Sequence, residues 1–161
     1  MTKTKNIIKK DTTGVSAKEY AQTLAELKKQ VQEAQVKAVL AANKELIKLY
    51  WIIGKTIAEK QELNGWGSKI IEKLAKDLQN EFPGIGGFSK LNLFRMRAFY
   101  LAYYCALVVE PSEYTKVSQA VTQIEELPIF RIPWGHNIVI LHKVKDNEER
   151  LWYAQKAIEY G

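Results

Sequence analysis

Apolar and small residues recur in steps of three and four along Tyr20, Leu24, Leu27, Val31, Ala34, Ala38 and Ala41, the repeat of one face of an α-helix. Past Ala41 the seam moves on by one position, to Ala42, Leu46, Leu49, Ile53 and Ile57. Ser16 with Glu19 three positions later has the spacing of a capping box, and Asn64-Gly65 supplies a C-terminal stop. The pattern predicts one long helix over residues 16–64. If continuous at about 45 residues, it would run about 70 Å at ~1.5 Å per residue, longer than a small domain is wide. Two outcomes stay open. The helix can bend near the seam shift or Gly54 and fold back on its own core, or its first half can protrude and pair with another chain as a coiled coil. The small side chains of residues 34–42 permit close helix approach and lean towards the second.

The stretch GWGS announces a second helix, with Ser68 as the expected cap. Ile70, Ile71, Leu74, Leu78 and Phe82 form one face, and Lys69, Lys73, Lys76 and Asn80 the polar one. PGIGG, residues 83–87, cannot stay helical. Ser89 then caps a third helix from Lys90 to about Val109, which Pro111 closes. Two helices joined by a glycine-bearing turn have the layout of a helix-turn-helix, whose second helix enters the DNA major groove, although this turn is longer than usual. The third helix is apolar almost all round: Leu91, Phe94, Ala98 and Leu101 share one face, and Leu93, Met96 and Tyr100 another. That distribution predicts burial on two sides and DNA contact through the first turns only.

Beyond Pro111 the pattern is mixed, and Ser118–Glu126 is a weak helix. Pro128 and Pro133 bracket IFRI as an extended apolar connector. Asn137–Lys145 reads as a short apolar helix. Asp146 with Glu149 repeats the capping-box spacing ahead of a last helix bearing Leu151, Trp152, Ala154, Ala157 and Ile158.

Composition narrows the class. The chain has 161 residues, 47% hydrophobic and 26% charged, which suits one folded domain preceded by a mobile basic arm over residues 1–15. The N-terminus lacks the apolar run of a signal peptide. Its single cysteine, Cys105, excludes an intramolecular disulfide and a multi-cysteine metal site, so the expected address is the cytoplasm. No apolar run approaches the roughly 18 residues of a membrane span. The formal charge of +6 is uneven: residues 1–10 carry four lysines and no acid, while residues 106–161 carry six bases and eight acids. A basic front two-thirds permits a polyanion partner.

Candidate chemistry is sparse. In PWGHNIVILHKV, residues 133–144, His136 has only His142 as a histidine partner, and six positions do not place two ligands on one helical face. No metal or cofactor is expected. GIGG lacks the lysine and hydroxyl residue of a phosphate-binding loop, and the acids show no paired-carboxylate arrangement. His136 therefore reads as a residue of a helix N-terminus, with Trp134 and Gly135 completing a structural motif in which Trp134 is buried as a staple. Arginines can clasp phosphate or guanine edges, so Arg95 and Arg97 stand out, as do Lys69, Lys73, Ser89, Lys90 and Asn92 near them.

The runs NKELIKLYWIIGKTI (43–57), GWGSKIIEKLAKDLQNEFPG (65–84), GFSKLNLFRMRAFY (87–100) and PWGHNIVILHKVKDNEERLWYAQKAIEYG (133–161) resemble the N-terminal domain of YhcG-type proteins. The resemblance covers residues 16–161. In that family a helical, winged-helix-like region with a role in DNA binding or assembly precedes a nuclease domain of the PD-(D/E)XK class. The nuclease half would bring an Asp and a Glu-x-Lys-type acid and lysine that hold magnesium, and this sequence shows no such set. The chain stops at Gly161, where relatives continue. EELPIFRI ahead of PWGH reads as an insertion, and Ile52 stands where relatives often carry an acid.

The expected protein is mainly α: a long N-terminal helix, a helix-turn-helix or winged-helix-like core at 65–110, and a connector with a C-terminal helix pair at 111–161. Its expected role is a non-catalytic DNA-binding and assembly domain of a nuclease system. DNA contacts would fall at Lys69, Lys73, Ser89, Lys90, Asn92, Arg95 and Arg97. Partners would be DNA and, through the long helix, a second copy or a nuclease chain. The alternative is a protein-interaction module without nucleic-acid contact.

Overall fold

A computed structural model describes residues 16–107 and 126–160. The elements are α1 (Ala17–Asn64), α2 (Ser68–Glu81), α3 (Lys90–Leu107), a 3-10 turn (Pro128–Phe130), α4 (Trp134–Lys143) and α5 (Asn147–Tyr160). The protein is mainly helical as expected, and no strand of a wing occurs among the described residues. The arm of residues 1–15, Pro111 and the weak helix expected at Ser118–Glu126, except Glu126 itself, lie outside the described residues. No helix among them is long and apolar enough to cross a membrane.

Side-chain and glycine signals set the helix ends. Ser16 Oγ accepts from the Glu19 N–H at 3.1 Å, Ser89 Oγ from the Asn92 N–H at 3.2 Å, and Asp146 Oδ1 from the Glu149 N–H at 2.9 Å. Each satisfies a donor that the first helical turn leaves without a partner. Gly65, at φ 62, turns the chain out of α1 while its N–H bonds the Gln61 carbonyl at 3.1 Å. Ser68 differs from expectation. It is the first helical residue of α2, and Gly67 occupies the cap position without a side-chain bond.

The chain divides into two compact units, Met1–Val39 and Leu40–Gly161. In the first, every described residue is exposed, including Tyr20, Leu24, Leu27 and Val31.

The second unit holds the core. From α1 it takes Ile47, Tyr50, Gly54 and Ile57, with Leu46, Trp51 and Ile53 half-buried. This stripe is offset from the expected one, and Leu49 is 41% exposed. Gly54 causes the offset: a Cβ there would run into the Met96 carbonyl of α3. Only a residue without Cβ lets the two backbones come this close, so the crossing centres on Gly54 and its helical neighbours turn inward. On α3, Leu93, Met96, Phe99, Tyr100 and Tyr103 are buried. The opposite side, with Leu91 at 59% and with Arg95 and Ala98, is exposed. Full burial is thus confined to one side, whereas on the other face expected to be buried Phe94 and Leu101 are only half-buried and Leu91 and Ala98 are exposed. Phe99 is the aromatic centre, edge-on to Trp51 at 5.7 Å, Tyr103 at 5.3 Å and Trp134 at 5.3 Å, a preferred ring geometry.

IFRI is not extended. Pro128–Phe130 forms a 3-10 turn, and Ile129, Phe130 and Ile132 are buried. A buried turn needs partners for its carbonyls. Asn137 Nδ2 donates to the Ile129 carbonyl at 2.8 Å and to that of Ile132 at 3.4 Å, which also accepts from Asn43 Nδ2 at 3.1 Å. Arg150 closes the end of α4, giving its Nε to the Val144 carbonyl at 2.7 Å and an Nη to that of Leu141 at 3.4 Å.

Gly54→Ala is expected to lower stability by more than ~2 kcal/mol, because the clash is with backbone that cannot rotate away; urea unfolding reads this directly. Tyr103 gives a second expectation. Its hydroxyl is buried without a hydrogen-bond partner among the described residues, and burial pushes it up to about 12 despite the opposing charge of Arg150. The folded state keeps this proton after the unfolded phenol, near ~10, has given it up, so stability falls as pH rises between those values. Tyr103→Phe is expected to leave neutral-pH stability unchanged or up to ~1 kcal/mol higher and to flatten the alkaline loss, checked by urea unfolding at neutral and alkaline pH.

Candidate nucleic-acid interface

The basic strip of α2 is built by helical spacing. Lys69, Lys73 and Lys76 are exposed and line one shallow depression with Glu72. Acids are interleaved with them: Lys73 pairs with Asp77 at 3.0 Å and Lys76 with Glu72 at 3.5 Å. Glu72 also bonds Lys90, half-buried at the start of α3, at 2.8 Å. Lys90, and then Lys76, hold the Glu72 carboxyl below its ordinary value. This strip is therefore partly neutralised by its own helix, and Lys90 serves as a tie between α2 and α3. Lys69 has no acid partner among the described residues.

Asn92 corrects the expectation of a DNA contact. It is buried, its Oδ1 accepts from Trp134 Nε1 at 2.8 Å, and its Nδ2 donates to the Gly87 carbonyl at 2.6 Å. Gly87 sits at φ 100 against the Tyr50 hydroxyl, where a Cβ would collide with it. Both ends of the amide are thus committed inside the domain. Trp134 is half-buried and edge-on to Tyr50 at 4.9 Å, whereas Gly135 and His136 are exposed. The structural residues of PWGHN are Trp134 and Asn137. Asn92 carried one legible signal, since it falls on the same α3 face as Met96, Phe99 and Tyr103, but its partner lies 42 positions away.

Arg95 and Arg97, two positions apart, point about 160° apart around the helix, and the structure does not bring them together. Arg97 lines a cleft with Glu59, Gln61, Glu62, Tyr100 and Tyr104, where its Nε is buried without a partner among the described residues. The two carboxylates on that rim disfavour an approaching phosphate. Arg95 lines a different cleft, between α3 and α4, with Ala98, Ile138, Val139, Leu141, His142 and Lys143. No acid is among those lining residues. His142 and Lys143 stand in the last turn of α4, and no spacing or motif in the sequence associates them with Arg95. Among the described residues no group of three His, Cys, Asp or Glu is placed to hold a metal ion.

Comparison with protein families adds an independent finding. Residues 26–161 match the DUF1016 N-terminal domain. The chain belongs to that family. It is the YhcG-type family that the four sequence runs resemble, and the match spans α2 to α5 and most of α1. The comparisons with curated proteins and with solved structures returned no match.

Within this DUF1016 N-terminal domain, Asn92→Ala is expected to cost about 1–3 kcal/mol by removing the partner of the half-buried Trp134 indole N–H and of the Gly87 carbonyl. Thermal unfolding measures the loss. Nucleic-acid affinity per folded molecule should not change.

Proposed function

We propose that this domain is a non-catalytic DNA-binding and assembly domain of a nuclease system, with DNA held by its backbone at the cleft between α3 and α4. The observation that carries this reading is a lining, with no acid among the described residues, that brings Arg95, His142 and Lys143 together over apolar side chains. The Arg95 and Lys143 cations present the potential that a phosphate backbone requires, and the release of condensed counterions drives such contacts. On α2, Lys69 adds an exposed cation where acids temper Lys73 and Lys76. The catalytic step belongs to the PD-(D/E)XK half that the family resemblance implies. A second reading, a protein-interaction module without DNA contact, is favoured by the exposure of every residue from Ser16 to Ala42.

Anisotropy of a labelled duplex titrated with the full chain across a salt series tests the proposal. Binding is expected to weaken with salt, and Arg95→Ala and Lys143→Ala each to reduce the slope of log K against log salt by about 0.9 for every phosphate that is no longer neutralised. Arg97→Ala is expected to leave affinity unchanged. Absence of binding at low salt, or equal damage from Arg95→Ala and Arg97→Ala, overturns it.

A further inference from the structure

Beyond the crossing at Gly54, α1 and α3 leave a cleft between them. Glu59 and Glu62, past Gly54 on α1, line it together with Arg97, Tyr100 and Tyr104, past Met96 on α3, around a volume of about 590 Å³. That size is ordinary for a small-molecule site. The duplex contact proposed above uses none of these residues.

The cleft wall carries polar capacity that the domain itself leaves unused. Arg97 Nε and Gln61 Oε1 are both buried without a partner among the described residues, where interior polar groups are normally satisfied. The Gln61 amide cannot simply exchange its ends, because its Nε2 already donates to the Trp66 carbonyl at 3.1 Å. Glu59 pairs with Lys55 at 3.7 Å, whereas Glu62 forms no ion pair with a described residue. Tyr104, 38% exposed, is stacked on the buried Tyr100 at 4.9 Å with 20° between the ring planes. Its ring is thus held from behind.

These groups together select the ligand. A tyrosine ring at a cleft wall favours a planar π system. A carboxylate accepts only, and two neighbouring N–H donors engage both of its oxygens, while the fork of an arginine donates to two neighbouring acceptors. The two carboxylates disfavour a phosphate, and Arg97 disfavours a ligand that is merely cationic. Guanine carries the complete set on one flat ring: N1–H and the N2 amine side by side as donors, and O6 and N7 side by side as acceptors. Adenine and cytosine offer a single amine with no second N–H beside it. In a duplex the donor edge of guanine is occupied by cytosine, so only an unpaired base presents it.

We infer that the α1–α3 cleft binds an unpaired guanine base. Tyr104 stacks on the ring, the Glu62 carboxylate accepts from N1–H and N2–H, and the Arg97 guanidinium donates to O6 and N7. The inference does not rest on duplex binding at the α3–α4 cleft, and either can fail without the other.

NMR titration of the full chain with guanosine, a probe without phosphate, up to millimolar concentration tests it. Guanosine is expected to bind with its H8 resonance shifted by the tyrosine ring. Inosine, which lacks only the N2 amine, should bind about tenfold more weakly, and adenosine and cytidine at least as weakly as inosine. Glu62→Gln and Tyr104→Leu, both at exposed positions, should each weaken guanosine by about tenfold, with thermal unfolding showing that the variants are folded. Guanosine monophosphate and an oligothymidine strand bearing one guanine separate the sources of the base: tighter binding of the strand assigns it to single-stranded nucleic acid, tighter binding of the monophosphate to a free nucleotide. No guanosine binding at millimolar concentration overturns the inference. So does equal binding of the four nucleosides, or binding that both variants leave intact.

Discussion

Where α1 crosses α3, the Gly54 position is pressed against the Met96 carbonyl so closely that no side chain fits between them. Backbone contact at one point fixes what is buried on both helices. It turns Ile47, Tyr50 and Ile57 inward on one side and Met96, Phe99 and Tyr103 on the other. The aromatic cluster around Phe99 then has one centre, with Trp51 reaching it from α1 and Trp134 from α4. Without the close crossing the helices would stand a side chain apart, and the interior rings would no longer pack to native density.

Polar latches complete what the apolar core leaves undetermined. Hydrophobic burial is non-directional, so by itself it would let the 82–89 loop and the 128–133 turn settle in several ways. Asn92 joins the loop at Gly87 to Trp134 of α4, and Asn137 joins the turn to the same helix. A buried amide costs free energy unless bonded, and here the Nδ2 groups of both residues donate to backbone carbonyls. PWGHN is thus an anchor: its tryptophan holds α4 to α3, its asparagine holds α4 to the turn, and the histidine that draws the eye in the sequence is exposed.

That anchor also places the charges. Fixing α4 on α3 brings His142 and Lys143 beside Arg95, while the α1 crossing leaves Arg97 among the carboxylates of Glu59 and Glu62. Two arginines of similar appearance in the sequence thereby acquire opposite electrostatic surroundings. The α2 lysines keep their exposure but share it with Glu72 and Asp77, so a count of basic residues overstates the positive potential there.

The helices themselves were legible along the chain. Periodicity marked the long helix and the pair that follows it, and capping residues marked the starts at Ser16, Ser89 and Asp146 and the stop at Gly65, because these signals act within one helical turn. The family was legible in four short runs. Which face each helix buries was not, since a neighbour's backbone at Gly54 outweighed the apolar count that favoured Leu49. The assembled fold also made Asn92 interior, and set Arg95, rather than Arg97, in a cleft with α4 that holds no acid among the described residues. Each of those outcomes depends on residues tens of positions apart, and local propensity and spacing carry no information about which distant backbone or charge will arrive beside a given side chain.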